Sequence, residues 1–384
     1  MPDIFFISET PPVNTHASSV VFYRHFKRLQ LEGYLITWIT DKNSFERSRH
    51  LLPIEWRTII LPNRAAFLPP YKPKGIPQSW RFYIYYKFYI KKALKRSSEA
   101  VLITHIHGQF LTLLAGYIRR KISLPLLSFF HDDPVDLAFT DSITVSYNVG
   151  QVLNMSDEIL AVSKQLENRW PRFKHKFKLL YPLPEKCEGV AYKIVQLTTE
   201  STLTFGYSGA VYDELLVYMS RFASHIAPLG HKLIVIGDIA KIAFLEKQFP
   251  ETVHCEDFFS SPQKAVDYLI KHCCVGLVPY PEHIKEMPWI RGCFPSKFLQ
   301  YCQLGLPTVI IAPKDSAIGN WCIENDWPFF TDAYKKDTID FLIKQLQTND
   351  FGELISRLNK GCFNPDFIHK SFKKAIEASV SKTD

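Results

Sequence analysis

The chain has 384 residues, of which 46% are hydrophobic and 22% are charged, a composition typical of an ordinary globular protein large enough for two domains. No run of about 18 apolar residues occurs, so no membrane-spanning helix is expected. The excess of 46 Lys and Arg over 38 Asp and Glu gives a net charge of +8, which favours anionic partners. All eight Cys lie from Cys187 onward without metal-ligand spacing, which favours free thiols in a reducing cytosol and no bound metal.

Short apolar runs alternate with amphipathic stretches along the whole chain, as in α/β folds with parallel sheets. Residues 3–7 predict a first strand, residues 20–33 a helix and residues 34–40 a second strand. The loop between the first strand and the helix would lie at the carboxyl edge of the sheet, where such sheets bind ligands. His16 in this loop is a candidate general base or phosphate contact, or else a solvated loop residue.

The stretch after a Pro-rich segment (62–79) predicts a helix with a basic, aromatic face. On an α-helix its inner side would hold Phe82, Tyr86, Tyr89, Ile90, Ala93 and Leu94. Its outer side would hold Lys87, Lys91, Lys92, Lys95 and Arg96, interleaved with Trp80, Ile84 and Phe88. Residues 80–96 therefore suit an anionic membrane surface. The alternative is a surface helix with solvated lysines. Nucleic acid is not an expected partner, because no recognition motif accompanies the basic residues.

Two further predicted strands end in polar clusters. Residues 100–108 end in His105 and His107, and residues 124–134 end in His131, Asp132 and Asp133. A carboxylate at this edge could deprotonate an acceptor hydroxyl, and an imidazole could stabilise developing charge. Alternatively, one of the two aspartates only caps the next helix.

The second half of the chain starts the same pattern again. A strand leads into Ser208 and Gly209 and then into a helix, an arrangement that suits phosphate binding but also an ordinary tight turn. Phe258 follows a later strand, and another strand ends at Tyr280.

The segment 294–307, FPSKFLQYCQLGLP, predicts a loop, a short helix and a stop at Gly305 and Pro307 before a buried strand. Ser296 and Lys297 lie near the helix N-terminus, where backbone N–H groups favour an anion. Gln300, one turn later, could bind a sugar hydroxyl. The alternative is a helix with a Gly-Pro stop and no ligand.

This segment resembles the donor-binding motif of GT-B glycosyltransferases, family 4 in particular, which usually reads Pro-Ser-Lys-x-x-Glu-Tyr-x-x-x-Gly-x-Pro. Gln300 stands where the motif has Glu, giving Lys-x-x-Gln. The strands ending in His-x-His-Gly and in His-Asp-x-Pro resemble the same enzymes. The resemblance implies an α/β GT-B architecture, with two Rossmann-like domains facing each other across a cleft. It implies an acceptor domain at 1–186, a nucleotide-sugar domain at 187–350, and C-terminal helices at 351–384 that pack back on the first domain.

The implied activity is transfer of a hexose from a UDP- or GDP-sugar to an acceptor hydroxyl, with no cofactor besides this donor. The acceptor would be a lipid-linked or polysaccharide intermediate of cell-surface glycan synthesis, at the inner face of the cytoplasmic membrane. The resemblance implies catalytic roles for His131, Asp132, Asp133 and His16, and donor contacts from Ser208, Gly209, Phe258, Tyr280, Ser296, Lys297 and Gln300. Two alternatives stay open, a nucleotide-sugar 2-epimerase and a catalytically silent binding protein. The chain has no Walker A, no G-x-G-x-x-G and no Asp-x-Asp motif.

Overall fold

The structure is a computed structural model that describes residues 1–15, 17–53, 55–62, 78–97, 99–107, 109–138, 142–186, 197, 202–348 and 350–381. The chain forms two compact units. Unit 1 consists of Met1–Leu180 with His369–Asp384, and unit 2 of Tyr181–Ile368. The candidate base His16 lies outside the described residues, as do most of the Pro-rich segment and residues 187–190.

Unit 1 is a parallel sheet with helices on both faces. Its strands are β1 (Asp3–Ile7), β2 (Ile36–Asp41), β3 (Arg57–Leu61), β4 (Ala100–His105), β5 (Leu126–Phe130), β6 (Glu158–Ala161) and β7 (Phe177–Leu179). Its helices are α1 (Ala17–Leu31), α2 (Lys42–Ser48), α3 (Gln78–Tyr85), α4 (Lys91–Leu94), α5 (Gln109–Lys121), α6 (Ser142–Met155) and α7 (Lys164–Arg169). The strand order is β3-β2-β1-β4-β5-β6-β7.

The sequence of β1 explains its central position. Ile4, Phe5, Phe6 and Ile7 are all at most 3% exposed, as expected for a parallel strand that is covered on both faces. Ile4 pairs with Ile36 of β2 on one side and with Val101 of β4 on the other. The strand order reverses between β1 and β4, so the loops after these two strands define the switch point at which ligands of such sheets bind.

The predicted basic helix is present, but it is interrupted. α3 continues into a π-helical segment, Tyr86–Ile90, and then into α4. Phe82, Tyr85, Ile90 and Leu94 pack in one buried cluster with residues of α5 and of the sheet. Tyr89, predicted on the inner side, is instead 41% exposed. The wider π turn shifts the side-chain register by about one residue relative to an α-helix, which explains this wrong assignment.

Unit 2 repeats the architecture. Its strands are β8 (Thr204–Ser208), β9 (Lys232–Gly237), β10 (Val253–Asp257), β11 (Val275–Pro279), β12 (Thr308–Ile311) and β13 (Phe330–Thr331). Its helices are α8 (Asp213–Ile226), α9 (Ile239–Gln248), α10 (Pro262–His272), α11 (Ser296–Gln303), α12 (Ala317–Glu324), α13 (Lys336–Thr348) and α14 (Gly352–Lys360). The strands are parallel in the order β10-β9-β8-β11-β12-β13, with the reversal between β8 and β11.

The predicted helix, stop and strand at 294–312 are confirmed as α11 and β12. Phe298, Leu299, Tyr301 and Cys302 form the buried stripe of α11, each at most 1% exposed. Gly305, with φ of +73°, ends the helix in the left-handed conformation that glycine adopts without strain.

The last helix, α15 (Pro365–Val380), begins in unit 2, and from His369 onward it belongs to unit 1. Phe372 and Ile376 of this helix are fully buried. Among the described residues, no helix is long and apolar enough to cross a membrane.

Candidate functional site

Most predicted donor-binding residues of unit 2 lie at the carboxyl edge of its sheet. Ser208 ends β8 and Gly209 directly follows it, Tyr280 follows β11, and Phe258 follows β10. Because β8 and β11 are neighbours at the reversal of strand order, the first three flank the switch point. Ser296 and Lys297 begin α11, the helix that follows β11 along the chain.

Gly209 and Lys297 are the two predicted residues that the structure brings into close approach. Gly209 has φ of +142°, a conformation that residues with a side chain rarely adopt. A Cβ atom on Gly209 would lie 3.2 Å from Lys297 Nζ. The glycine therefore serves both the turn of the chain and the space in front of the lysine amine.

Tyr207 lies directly beside Lys297, a contact that the sequence did not predict. Lys297 Nζ is 3.8 Å from the centroid of the Tyr207 ring, within the range of a cation–π interaction. The Tyr207 hydroxyl donates a hydrogen bond to the Ala210 carbonyl (2.6 Å), which fixes the ring under the 208–210 turn. An aromatic residue inside a strand is normally interpreted as part of the core, and for that reason no sequence pattern indicated this role.

Burial lowers the pKa of Lys297 to about 7, and nearby Cys293 opposes this effect. Within the described part of the chain the amine has the Tyr207 ring as its partner and no carboxylate within ion-pair distance. An amine in this environment gains protonation when an anion arrives, because the anion replaces the lost solvation. Lys297 is therefore a cation site that an anionic ligand would complete.

The other polar groups near this edge are less suited to binding an anion. The first turn of α8 carries Asp213 and Glu214, which reduces the attraction of this helix N-terminus for an anion. The backbone N–H of Ser208 already donates to the Tyr301 hydroxyl (3.1 Å). These contacts leave Lys297 as the strongest anion-binding feature among the predicted residues.

Gln300, Tyr280 and Phe258 have different surroundings. Gln300 Oε1 accepts a hydrogen bond from the backbone N–H of Glu185 (2.8 Å), so part of its amide holds the 181–186 segment. Tyr280 is 9% exposed, and its carbonyl accepts from the Tyr334 hydroxyl (3.0 Å). Phe258 is 54% exposed and could cover a flat ligand. Donor-binding roles for these three residues stay predictions.

In unit 1, three histidines meet at the carboxyl edge of β4 and β5. The rings of His105 and His107 stack with centroids 5.3 Å apart, and the His131 ring lies edge-on to His105 at 6.5 Å. Thr10, in the loop after β1, places Oγ1 2.8 Å from His105 Nδ1. Burial lowers the pKa of His105 well below the usual value, and that of His107 less strongly, while Asp132 opposes both shifts.

His131 and Asp132 are the pair in this cluster with the best geometry for a general base. His131 is 6% exposed, and neither ring nitrogen has a hydrogen-bond partner among the described residues. Its Nδ1 lies 3.4 Å from Asp132 Oδ2, close enough for electrostatic attraction but without hydrogen-bond geometry. A buried imidazole with unused ring nitrogens next to a carboxylate has the geometry of a candidate general base.

Asp133 is built into the protein scaffold. Its fully buried carboxylate pairs with Arg169 Nε (2.6 Å) and accepts from Trp170 Nε1 (3.2 Å) and from the Val135 N–H (2.9 Å). Burial raises its pKa, while these partners oppose the rise. The Val135 contact stabilises the turn at 134–137 and is not a helix cap, because the next helix, α6, begins only at Ser142. Catalytic roles for His131, Asp132 and Asp133 stay predictions, but the three are not equivalent in the structure.

The α3–α4 surface, formed by the outward side chains of residues 79–96, is basic and aromatic. Its exposed aromatic residues are Trp80 (61%), Tyr83 (40%), Phe88 (67%) and Tyr89 (41%). Lys87 Nζ lies 5.3 Å from the Tyr83 ring centroid and 5.4 Å from that of Phe88. Its exposed cations are Lys87, Lys91, Lys92, Lys95 and Arg96, none of which pairs with a carboxylate in the described ranges.

Comparison with known proteins supports the fold. No family model matches the chain, and no curated protein matches its sequence. A glycosyltransferase from Rickettsia africae is similar with a TM-score of 0.67 at 10% identity, covering 98% of both chains. Anabaena Alr3699/HepE, solved with UDP and glucose, is similar with a TM-score of 0.65 at 10% identity, covering 98% of this chain and 99% of its own.

The N-terminal domain of Candida albicans trehalose-6-phosphate phosphatase is equally similar, with a TM-score of 0.65 at 10% identity and coverage of 99% of this chain and 97% of its own. At such identities the likeness shows the fold and leaves the reaction open. The chain has the GT-B fold, as the segment 294–307 predicted. Membership of family 4 stays a prediction.

Proposed function

We propose that this protein is a glycosyltransferase that moves a hexose from a nucleoside diphosphate sugar to an acceptor hydroxyl. One observation carries the proposal: Lys297, a half-buried lysine without a carboxylate partner in the described ranges, faces Gly209 at the switch point of the unit 2 sheet. A diphosphate supplies the missing negative charge. The structures of Rickettsia and Anabaena proteins with this fold, one of them holding UDP, support the same type of ligand.

The proposed roles of the two units follow from the residues at the switch points of their sheets. Lys297 and the α11 N-terminus would stabilise the negative charge of the leaving nucleoside diphosphate, the contribution that a metal ion makes in other enzymes. His131 with Asp132 would accept the proton of the acceptor hydroxyl if the reaction inverts the anomeric centre. Asp133 would hold the loop that carries them, and Gln300 would contact the ribose.

A thermal-shift experiment tests the donor site. UDP, GDP, ADP and CMP are compared at saturating concentration, with and without EDTA. A ligand at a hundredfold excess over its Kd stabilises the folded state by about 2.7 kcal/mol, which corresponds to a shift of about 5–10 °C for a unit of this size. One of UDP and GDP should give this shift in EDTA, and Lys297→Met should abolish it. The matched control is Lys247→Met, an exposed lysine on α9.

If no nucleotide shifts the melting temperature, or if Lys297→Met responds like Lys247→Met, the donor-site proposal is wrong. Release of nucleoside diphosphate then separates the remaining classes. A 2-epimerase converts the donor sugar with no acceptor present. A catalytically silent binding protein binds the nucleotide sugar but releases no nucleoside diphosphate, and substitution of Asp132 changes nothing.

We further propose that the α3–α4 surface binds an anionic membrane and brings the enzyme to a lipid-linked or polysaccharide acceptor at the cytoplasmic face. Exposed Trp80 and Phe88 provide apolar anchors at the interface, and the unpaired cations provide attraction to anionic lipid. Each cation near such a surface contributes about 1 kcal/mol, so replacing Lys91 and Lys92 by Gln should weaken vesicle binding about tenfold or more.

Co-sedimentation with phosphatidylcholine vesicles, with and without phosphatidylglycerol, tests this surface. The protein should sediment only with the anionic vesicles, and Trp80→Ser combined with Phe88→Ser should release it. Phe341→Ser is the matched control, because Phe341 of unit 2 is similarly exposed (56%). Equal binding to both vesicle types, or equal loss in the control, would refute the membrane proposal while leaving the donor site untouched.

A further inference from the structure

Two buried histidines hold α15 on α1. His25 of α1 is fully buried and His369 of α15 is 6% exposed. Their Nδ1 atoms are 3.3 Å apart, and their rings are inclined by only 27° with centroids 5.5 Å apart. Both residues belong to unit 1. This contact joins side chains that are 344 residues apart in the sequence.

The surroundings of the pair are apolar on one side. The Phe372 ring of α15 lies 4.3 Å from the His25 ring and 6.2 Å from Phe26. Neither His25 nor His369 has a hydrogen-bond partner for Nε2 among the residues that the structure describes. His369 Nε2 is 3.4 Å from Glu32 Oε1, without the alignment of a hydrogen bond.

Four charged groups face the pair. Arg24 and Arg28 belong to α1, Glu32 follows the end of α1, and Lys373 belongs to α15. Glu32 and Lys373 form an ion pair with 2.5 Å between Oε2 and Nζ. This bond lowers the pKa of Glu32 and raises that of Lys373, so both stay charged while histidines titrate. The arginines stay charged throughout.

The geometry of the pair admits one proton between the two Nδ1 atoms. With one bridging proton, one ring donates and the other accepts. When both rings are charged, both Nδ1 atoms carry a proton, and two N–H groups then face each other at 3.3 Å beside two arginines. Burial is the largest cause that lowers the pKa of both histidines, followed by the partner His369 for His25 and by Arg28 for His369.

We propose that the His25–His369 pair is a pH-sensitive latch that holds α15 on unit 1 at neutral pH and releases it in acid. When α15 detaches, both rings reach water and take up protons with the usual histidine pKa near 6.5. The docked state binds fewer protons than the released state, so docking is fully favoured above this pH and weakens as the pH falls below it. The release equilibrium rises about ten- to hundredfold per pH unit, for one or two protons taken up.

Release of α15 from α1 would free one end of the segment 365–369, because α15 starts at Pro365 in unit 2 and belongs to unit 1 from His369 onward. The inference does not depend on the proposed transferase activity. It requires only that α15 be held by groups that must stay neutral.

Hydrogen exchange of the full-length protein between pH 5 and 7.5 tests the latch, with each rate normalised to that of an unstructured chain at the same pH. Protection of residues 369–380 should fall at least tenfold per pH unit below 6.5, while protection of β1 and β4 stays constant. In the His25→Gln, His369→Gln double variant this pH dependence should disappear. His175→Gln, which removes an exposed histidine of unit 1, should behave like the wild type.

A flat profile for α15 in the wild type, or an unchanged slope in the double variant, would overturn the proposal. If the double variant does not fold, the imidazole NMR signals of the wild type decide the question. Those of His25 and His369 should remain in the neutral form below pH 6.5, the usual histidine pKa. Titration of both near pH 6.5 in the docked protein would equally overturn the latch.

Discussion

Nucleotide binding should be coupled to proton uptake by Lys297. Its pKa of about 7 in the free protein means that about half of the molecules carry a neutral amine at pH 7. A diphosphate within hydrogen-bond reach favours the charged form and raises this pKa toward or above the usual value for lysine. Binding above pH 7 must therefore include protonation of the amine.

The expected magnitude follows from that pKa. The fraction of protein with a charged Lys297 falls about 50-fold between pH 7 and pH 9, and the Kd for the nucleotide should rise by the same factor. The terminal phosphate does not contribute, because it ionises near pH 6. At pH 8, binding should take up about 0.9 proton. Isothermal titration calorimetry in buffers with different heats of ionisation measures this uptake directly.

Two variants separate the coupling from other effects of pH. Lys297→Arg keeps a charge at every pH tested, so its affinity should vary little between pH 7 and 9. Lys247→Met should retain the full pH dependence of the wild type. A wild-type Kd that stays constant over this range, or proton uptake that survives in Lys297→Met, would refute the reasoning about this amine.

Two further substitutions test the scaffold of the candidate sites. Gly209→Ala should lower the free energy of unfolding by about 1–2 kcal/mol through backbone strain, and it should also weaken nucleotide binding, because the new Cβ would approach Lys297 Nζ. The control is Gly230→Ala, at φ of +73° with open space around it, which should show the loss of stability without the loss of binding. Asp133→Asn should cost about 1.5–3 kcal/mol in urea denaturation, because it weakens the charged hydrogen bonds of a fully buried side chain while Arg169 keeps its contact with Asp136, whereas Asp366→Asn, at an exposed ion pair with Lys186, should cost less than about 1 kcal/mol.

Local patterns sufficed for the parts of the fold that depend on local chemistry. The apolar run of β1 can only be a strand covered on both faces, and the Gly305 stop requires a left-handed residue. The same reasoning placed Ser208, Gly209 and Tyr280 at strand ends, and these strand ends flank the switch point of the unit 2 sheet. These features follow from periodicity and from turn chemistry, both of which a single sequence displays.

Other features depend on partners that are distant in the sequence. Asp132 and Asp133 look equivalent as neighbours in a polar cluster, but Arg169, 36 positions beyond Asp133, takes one of them into a buried ion pair. The contact between His25 and His369 spans almost the whole chain. The π turn at Tyr86–Ile90 leaves no mark in the pattern of apolar residues, and it is what turns Tyr89 outward.

The two switch points differ in the proton chemistry that they favour. In unit 1, burial lowers the pKa of His105 and of His107, the neighbours of the proposed proton acceptor His131, and Asp132 opposes both shifts. In unit 2, burial depletes Lys297 of the proton that it needs to hold an anion. Transfer of a sugar to a hydroxyl requires a proton acceptor for the hydroxyl and positive charge for the leaving diphosphate. The same physical cause, loss of solvation at the carboxyl edge of a parallel sheet, thus acts on the histidines around the proposed acceptor in one unit and on the proposed diphosphate-binding cation in the other. An enzyme built this way should be slow below the pH at which its proton acceptor becomes charged and slow again above the pH at which Lys297 of the free enzyme loses its proton, so a bell-shaped profile of kcat/KM is the kinetic signature expected of the pair.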